Sequence, residues 1–91
     1  MYKITDYSKK QANKLHVEIK PSRKKDKKID VIKNGHVIAS IGNKNYKDYP
    51  TYIETKGKSY ADTRRKLYRI RHKNDIHIKN TAGYYAGKIL W

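Results

Sequence analysis

The 91-residue chain has no cysteine and no phenylalanine, only 2 prolines, 5 glycines and 1 tryptophan, and 8 acidic side chains. Each shortage excludes something. Without cysteine, neither disulfides nor thiolate metal sites can brace the fold, so packing alone must hold it. Without phenylalanine, the 9 tyrosines must supply most of the aromatic packing. No apolar run approaches the ~20 residues of a membrane-spanning helix. The opening Met1-Tyr2-Lys3-Ile4-Thr5-Asp6 lacks the apolar core of a secretion signal. The expectation is a soluble, intracellular chain that is not secreted. Its length suits one small domain and leaves little chain for a scaffold plus a catalytic cleft.

What is abundant is positive charge. Lys and Arg number 23, and the formal net charge is +15. The excess is spread evenly: 12 basic and 4 acidic side chains in residues 1–45, and 11 and 4 in residues 46–91. Self-repulsion at this density opposes folding, and a polyanionic partner is the usual compensation. Nucleic acid leads over an acidic protein or membrane surface, because phosphate neutralisation along a strand needs an excess that is large and distributed. Composition tempers the argument: Lys, Ile, Tyr and Asn, all with A/T-rich codons, make up 44 of the 91 residues. Leu, Ile and Val total 17, near the border of disorder, but their spacing is ordered.

Along the chain, residues 1–13 are polar and mixed and read as an N-terminal arm, followed by a single small domain over residues 14–91. Alternation of Leu15, Val17 and Ile19 with His16, Glu18 and Lys20 predicts a half-buried strand over residues 14–20. A basic loop follows from Pro21. Two apolar runs flank Asn34-Gly35, the pair suited to a type I′ turn, which sets Val31 opposite Ile38 and Ile32 opposite Val37. The three strands form an antiparallel meander. Residues 46–58 read as irregular. Ser59 with Asp62 resembles a capping box opening a helix over residues 60–73. On it Tyr60, Thr63, Leu67 and Ile70 form the apolar stripe, with bases opposite and at the C-terminal end. A short strand at residues 75–78, a turn at Asn80-Thr81 and an apolar segment to Trp91 complete the reading. The fold class is α+β: a three-stranded antiparallel meander, one basic helix and an apolar C-terminal segment.

The candidate nucleic-acid-binding residues fall in two clusters. Arg64, Arg65, Lys66, Arg69, Arg71 and Lys73 lie on the helix, where four of the five arginines collect against the drift toward lysine. Guanidinium suits two-pronged phosphate contacts. The second cluster is Arg23, Lys24, Lys25, Lys27 and Lys28 in the loop, readable as a backbone grip, a localisation signal or a solvated loop. Tyr84, Tyr85, Ile89, Leu90 and Trp91 are candidates for a partner interface, since aromatic residues favour interface centres. Tyr46, Tyr49, Tyr52, Tyr84 and Tyr85 can stack bases in a single-stranded groove, but with no Phe in the chain tyrosine must also pack the core, and the core reading is the stronger. Gly83 and Gly87 have GxxxG spacing, which outside a membrane segment says little beyond small residues near a close contact. His16, His36, His72 and His77 lack metal-ligand spacing. Arg69-x-x-His72 matches a fragment of the tyrosine-recombinase motif without the rest of its catalytic set. With no glycine-rich phosphate loop, HExxH pattern or nucleophile triad, the expectation is a protein that is not an enzyme and takes no cofactor or metal.

The second half carries a resemblance. Tyr46-x-x-Tyr49, then Arg64-Arg65-x-x-Tyr68-x-x-Arg71-His72-Lys73, then Asn80-Thr81-Ala82-Gly83-Tyr84-Tyr85 and Ile89-Leu90-Trp91 resemble a family of small basic proteins of undefined function. That family is encoded by large and medium-sized DNA viruses of algae and protists, and the resemblance covers roughly residues 28–91. The chain departs from the pattern in carrying Tyr84-Tyr85 where Phe-Trp is common, and in stopping at Trp91 where relatives often continue into a Lys-Pro-containing tail. The resemblance implies a non-enzymatic, virion-associated protein, found in the virion and in the nucleus or cytoplasmic virus factory of the infected cell. Three functions then stand as expectations. The first is a structural protein binding nucleic-acid phosphates, DNA before RNA, with little sequence specificity. The second is a minor capsid or cement protein against acidic capsid subunits. The third is a sheet-based DNA reader using Lys20, Lys33 and His36.

Overall fold

The computed structural model describes residues 2–91. A three-stranded antiparallel sheet in the order β1-β2-β3 combines with four helices among the described residues, so the fold is α+β. The elements in chain order are α1 (Asp6–Lys14), β1 (Glu18–Pro21), β2 (Ile29–Lys33), β3 (His36–Ile41), α2 (Tyr49–Lys56), α3 (Lys58–Arg71) and α4 (Ala82–Ile89).

The hairpin forms as its turn chemistry dictates. Asn34 and Gly35 sit at φ 54° and 80°, a combination that favours Asn and Gly. Ile32 pairs with Val37 and Lys33 with His36. The expected Val31–Ile38 pairing is corrected: a bulge between Val31 and Ile32 sets Val31 opposite Ala39 instead. β1 is shorter than expected and starts at Glu18. Leu15 caps the end of α1, and His16 takes φ 59°, reversing the chain into the strand. Pro21, lacking an N–H, is tolerated because β1 lies at the sheet edge.

The core lies between this sheet and helices α1 and α4, joining Ala12, Ile29, Val31, Ile41, Tyr85, Ile89 and Leu90. Residues 6–13, expected within an arm, are instead helical. Thr5 caps α1 by accepting the Ser8 N–H, Asp6 complements the helix dipole, and the buried Ser8 hydroxyl donates to the Ile89 carbonyl at 2.9 Å. Ser8 and Ala12, small and four apart, let α1 approach α4 closely. The apolar segment is α4, capped by Thr81, so Tyr85, Ile89 and Leu90 are core residues rather than partner anchors. Tyr84 and Trp91 are half-buried. The expected strand at residues 75–78 is a series of turns that drops Ile76 onto Gly87. A Cβ at Gly87 would overlap the Ile76 side chain, so glycine is required by that close approach.

Two corrections concern residues 46–73. Residues expected to be irregular form α2, capped by Asp48 with Pro50 in its first turn. α3 starts at Lys58 after Gly57 at φ 89°, and Ser59 lies inside it rather than capping it. Asp62 instead accepts from Tyr49 Oη at 2.7 Å and from Lys58 Nζ at 3.0 Å.

Candidate nucleic-acid interface

The buried face of α3 is not its apolar stripe. Ala61 is fully buried and Arg64, Arg65, Tyr68 and His72 are half-buried, while Tyr60, Leu67 and Ile70 are exposed. The reason is what α3 meets. α2 presents Tyr49 and Tyr52, and the chain beyond α4 presents Trp91; ring faces attract guanidinium groups. The Arg65 guanidinium lies 3.6 Å from the Tyr49 ring centroid. Its Nε donates to the Trp91 carbonyl oxygen at 2.7 Å, and its Nη2 donates to Tyr7 Oη at 2.8 Å. Arg65 is thereby a clamp joining α1, α2, α3 and Trp91, and is corrected from a free phosphate contact.

Lys28 is corrected likewise. It is 4% exposed, its Nζ lies 2.9 Å from Asp48 Oδ2, and its ammonium sits 5.2 Å from the centre of the Tyr2 ring. Tyr2 Oη also donates to Asp48 Oδ2 at 2.7 Å, while Thr51 donates to Oδ1 through both its N–H and its hydroxyl. Burial pushes the Asp48 carboxyl up, but the hydrogen bonds from Thr51, Lys28 and Tyr2, with the Lys28 charge, outweigh burial and hold it below the usual carboxylate range. Burial, with the Asp48 hydrogen bond and charge, raises the Tyr2 phenol, so Tyr2 stays a donor.

The other basic candidates reach solvent. Arg23, Lys24, Lys25, Lys66, Arg69, Arg71 and Lys73 are exposed and Lys27 is half-buried. Lys66, Arg69 and Lys73 share a shallow groove along α3 and the residues just after it with Asp62, Arg65 and Ile70. The loop over residues 22–28 is pinned at both ends rather than free. Ser22 N–H donates to the Lys28 carbonyl, Lys28 N–H to the Ile41 carbonyl, and Lys44 N–H to the Asp26 carbonyl. That last bond sets the basic loop beside residues 42–47.

Those residues form one wall of a cleft of about 490 Å³ that the sequence pattern does not reveal. α2, α3 and the end of α4 form the other walls. Trp91 stacks on Tyr68 at 4.5 Å with an interplanar angle of 8°, and Tyr68 stacks on His72 at 4.3 Å. Arg64 leans over Tyr52, 5.6 Å from its ring centre. Lys47, Arg64 and Arg71 line the cleft, and no Asp or Glu side chain does among the described residues. The Arg64 Nε is buried without a hydrogen-bond partner among the described residues, an arrangement that costs about 1–3 kcal/mol. Desolvation raises the Tyr68 phenol, with nearby Arg71 opposing it, so this wall stays neutral. The cleft draws residues from 28 to 91 together, and only the alternation of Tyr and basic residues over 46–72 hints at it in the sequence.

The outward face of the sheet pairs Lys20 with Asp30 and adds Glu18, so acid and base alternate there. Ser22 and Ser40 both donate to Asp30 Oδ1, and these bonds outweigh desolvation to hold that carboxyl low and ionised. No helix among the described residues is long and apolar enough to cross a membrane. No protein-family model, curated protein or solved structure matches this chain.

Proposed function

We propose that this chain is a non-enzymatic protein that binds nucleic-acid phosphates with little sequence specificity, in the virion and infected-cell setting that its viral resemblance implies. The observation that carries the reading is an uncompensated positive surface. The 8 acidic side chains are too few to neutralise it, and four of them are engaged within the chain. Asp48 caps α2 and holds Lys28, Asp30 ties the sheet to the β1–β2 loop, Asp62 holds Tyr49 and Lys58, and Asp75 faces His72. Among the described residues, the exposed loop cations and those of α3 other than Lys58 have no carboxylate partner. Such a field binds phosphate backbones by releasing counterions. The outward sheet face, carrying Glu18 and Asp30, favours this reading over base readout by Lys20, Lys33 and His36.

The test is binding to random duplex and single strands from about 50 to about 300 mM salt, with log K expected to fall linearly against log salt. Lys66→Glu with Lys73→Glu, both exposed, is expected to weaken binding to all sequences alike and to flatten the salt slope by about 1 for each phosphate no longer neutralised. Undiminished affinity in that variant would remove α3 from the interface. A second reading, a minor capsid protein, draws on Leu67 and Ile70, which are 50% and 58% exposed one turn apart on α3. Their stripe, rather than Tyr84 to Trp91, would face the capsid subunit.

A further inference from the structure

We infer that the cleft between residues 42–47, α2, α3 and Trp91 seats a single nucleotide of an unpaired strand, with its base on Tyr46 and its phosphate at Arg64, Arg71 and Lys47. The inference rests on the nucleic-acid reading above and narrows it to strands whose bases are free to splay out.

Three observations point the same way. First, the cleft holds about 490 Å³, and its charged side chains are cationic with no Asp or Glu among the described residues that line it, so it suits an anion joined to a flat group. Second, the Arg64 guanidinium lines the cleft and donates no hydrogen bond among the described residues, so a phosphate oxygen would supply an acceptor for its outer N–H groups. The Tyr52 ring fixes that guanidinium from one side, so its direction is set before the ligand arrives. Third, the aromatic residues of the cleft divide into two kinds. Tyr52, Tyr68, His72 and Trp91 are already engaged with one another. Tyr46 is 71% exposed and pairs with no ring among the described residues. An unpaired ring at the rim of a cationic cleft is a stacking platform, and stacking accepts any base because every base has a π-face. A base inside a duplex is stacked on its neighbours and cannot reach Tyr46 without being extruded.

The chain carries its own reporter, since its single tryptophan, Trp91, lines the cleft. The full chain is titrated with oligothymidylate, whose bases stack poorly on one another, and separately with a random duplex, following both affinity and Trp91 emission. The expected result is quenching of Trp91 by the single strand. Tyr46→Ala is expected to lower single-strand affinity by about 10-fold while leaving duplex affinity unchanged. Tyr46→Phe restores it, because the ring rather than the hydroxyl does the stacking. Arg71→Gln, also at an exposed position, weakens single-strand binding in parallel. Single-strand affinity unchanged in Tyr46→Ala, equal losses on both strand types, or no change in Trp91 emission would each overturn the inference while leaving phosphate binding intact. Quenching by thymidine 5′-monophosphate but not by oligothymidylate would assign the seat to a free nucleotide and overturn the strand reading. Failure of the wild-type chain to bind either strand at low salt would overturn the nucleic-acid reading itself, and this inference with it.

Discussion

Lys28 and Arg65 both come from strongly basic stretches and both turn inward, yet the molecule holds them in opposite ways. Lys28, a compact ammonium, is held by a single carboxylate, Asp48, which is itself 1% exposed and accepts from Tyr2 and Thr51 as well. Arg65 has no Asp or Glu side chain in ion-pair contact with it. Its flat guanidinium stacks on Tyr49 and forks its hydrogen bonds to the Trp91 main-chain oxygen and a phenol. The difference follows from hydration: an ammonium leaves water only for a full counter-charge, whereas a guanidinium is weakly hydrated and accepts ring faces and neutral oxygens. A chain with 23 basic side chains and 8 acidic ones can bury cations cheaply only in the second manner. That is a physical reason for arginines, Arg64 and Arg65, to stand where α3 meets the tyrosines of α2.

The comparison breaks most sharply at Asp48. Asp48→Ala removes the α2 cap and leaves the Lys28 ammonium buried and unpaired, and is expected to cost about 3–5 kcal/mol in urea unfolding. Adding Lys28→Met is expected to recover a large part of that loss, because the orphaned charge is gone. No recovery would mean that the cap, not the ion pair, carries the cost. A smaller effect is expected of Arg65→Lys, which preserves charge but loses both the fork and the stacking. A loss of about 1–3 kcal/mol, read by the same unfolding curves, would show that geometry rather than charge holds Arg65. A wild-type stability for Arg65→Lys would erase the distinction between the two cations.

Acid titration gives the smallest and most selective contrast. The Asp48 carboxyl is lower in the folded state than its ordinary value, so its stabilisation is present in full above about pH 4 and is lost as pH falls through the lower folded value. Asp30 contributes with the same sign in the same window. Asp48→Asn is expected to flatten the stability profile below about pH 4, with the remaining slope carried by the other low carboxyls. The Arg65 charge helps to hold Asp62 low, and lysine keeps that charge, so Arg65→Lys is expected to shift the profile down with little change of shape.

Much of the sheet is legible in the sequence and much of the helical half is not. Asn34-Gly35 determines its own turn, because few residues accept φ above zero at two successive positions. The bulge that moves Ala39 opposite Val31 depends on how β3 continues to the buried Ile41, which no local pattern contains. α2 carries a readable signal, Asp48 followed by Pro50, hidden by tyrosines that fit no clean periodicity. α1 is masked by its lysines, since Ser8 and Ala12 form an apolar face too small for a hydrophobicity pattern to register. The stripe of Tyr60, Leu67 and Ile70 is real as a pattern and misleading as a guide to burial. Periodicity marks a face but does not say what that face will meet.

The sequence by itself determined the charge, the meander, the positions of the basic stretches and the existence of a helix over most of residues 60–73, because these depend on composition and on neighbours a few residues apart. The tertiary structure alone decided which cations stay free. Lys28 and Arg65 are withdrawn, Arg64 is turned into a cleft, and Lys66, Arg69 and Lys73 remain outside. That choice rests on partners 20 or more residues away, namely Asp48 for Lys28, and Tyr7 and Trp91 for Arg65. A side chain's exposure is a property of the surface brought against it, and only the folded chain supplies that surface.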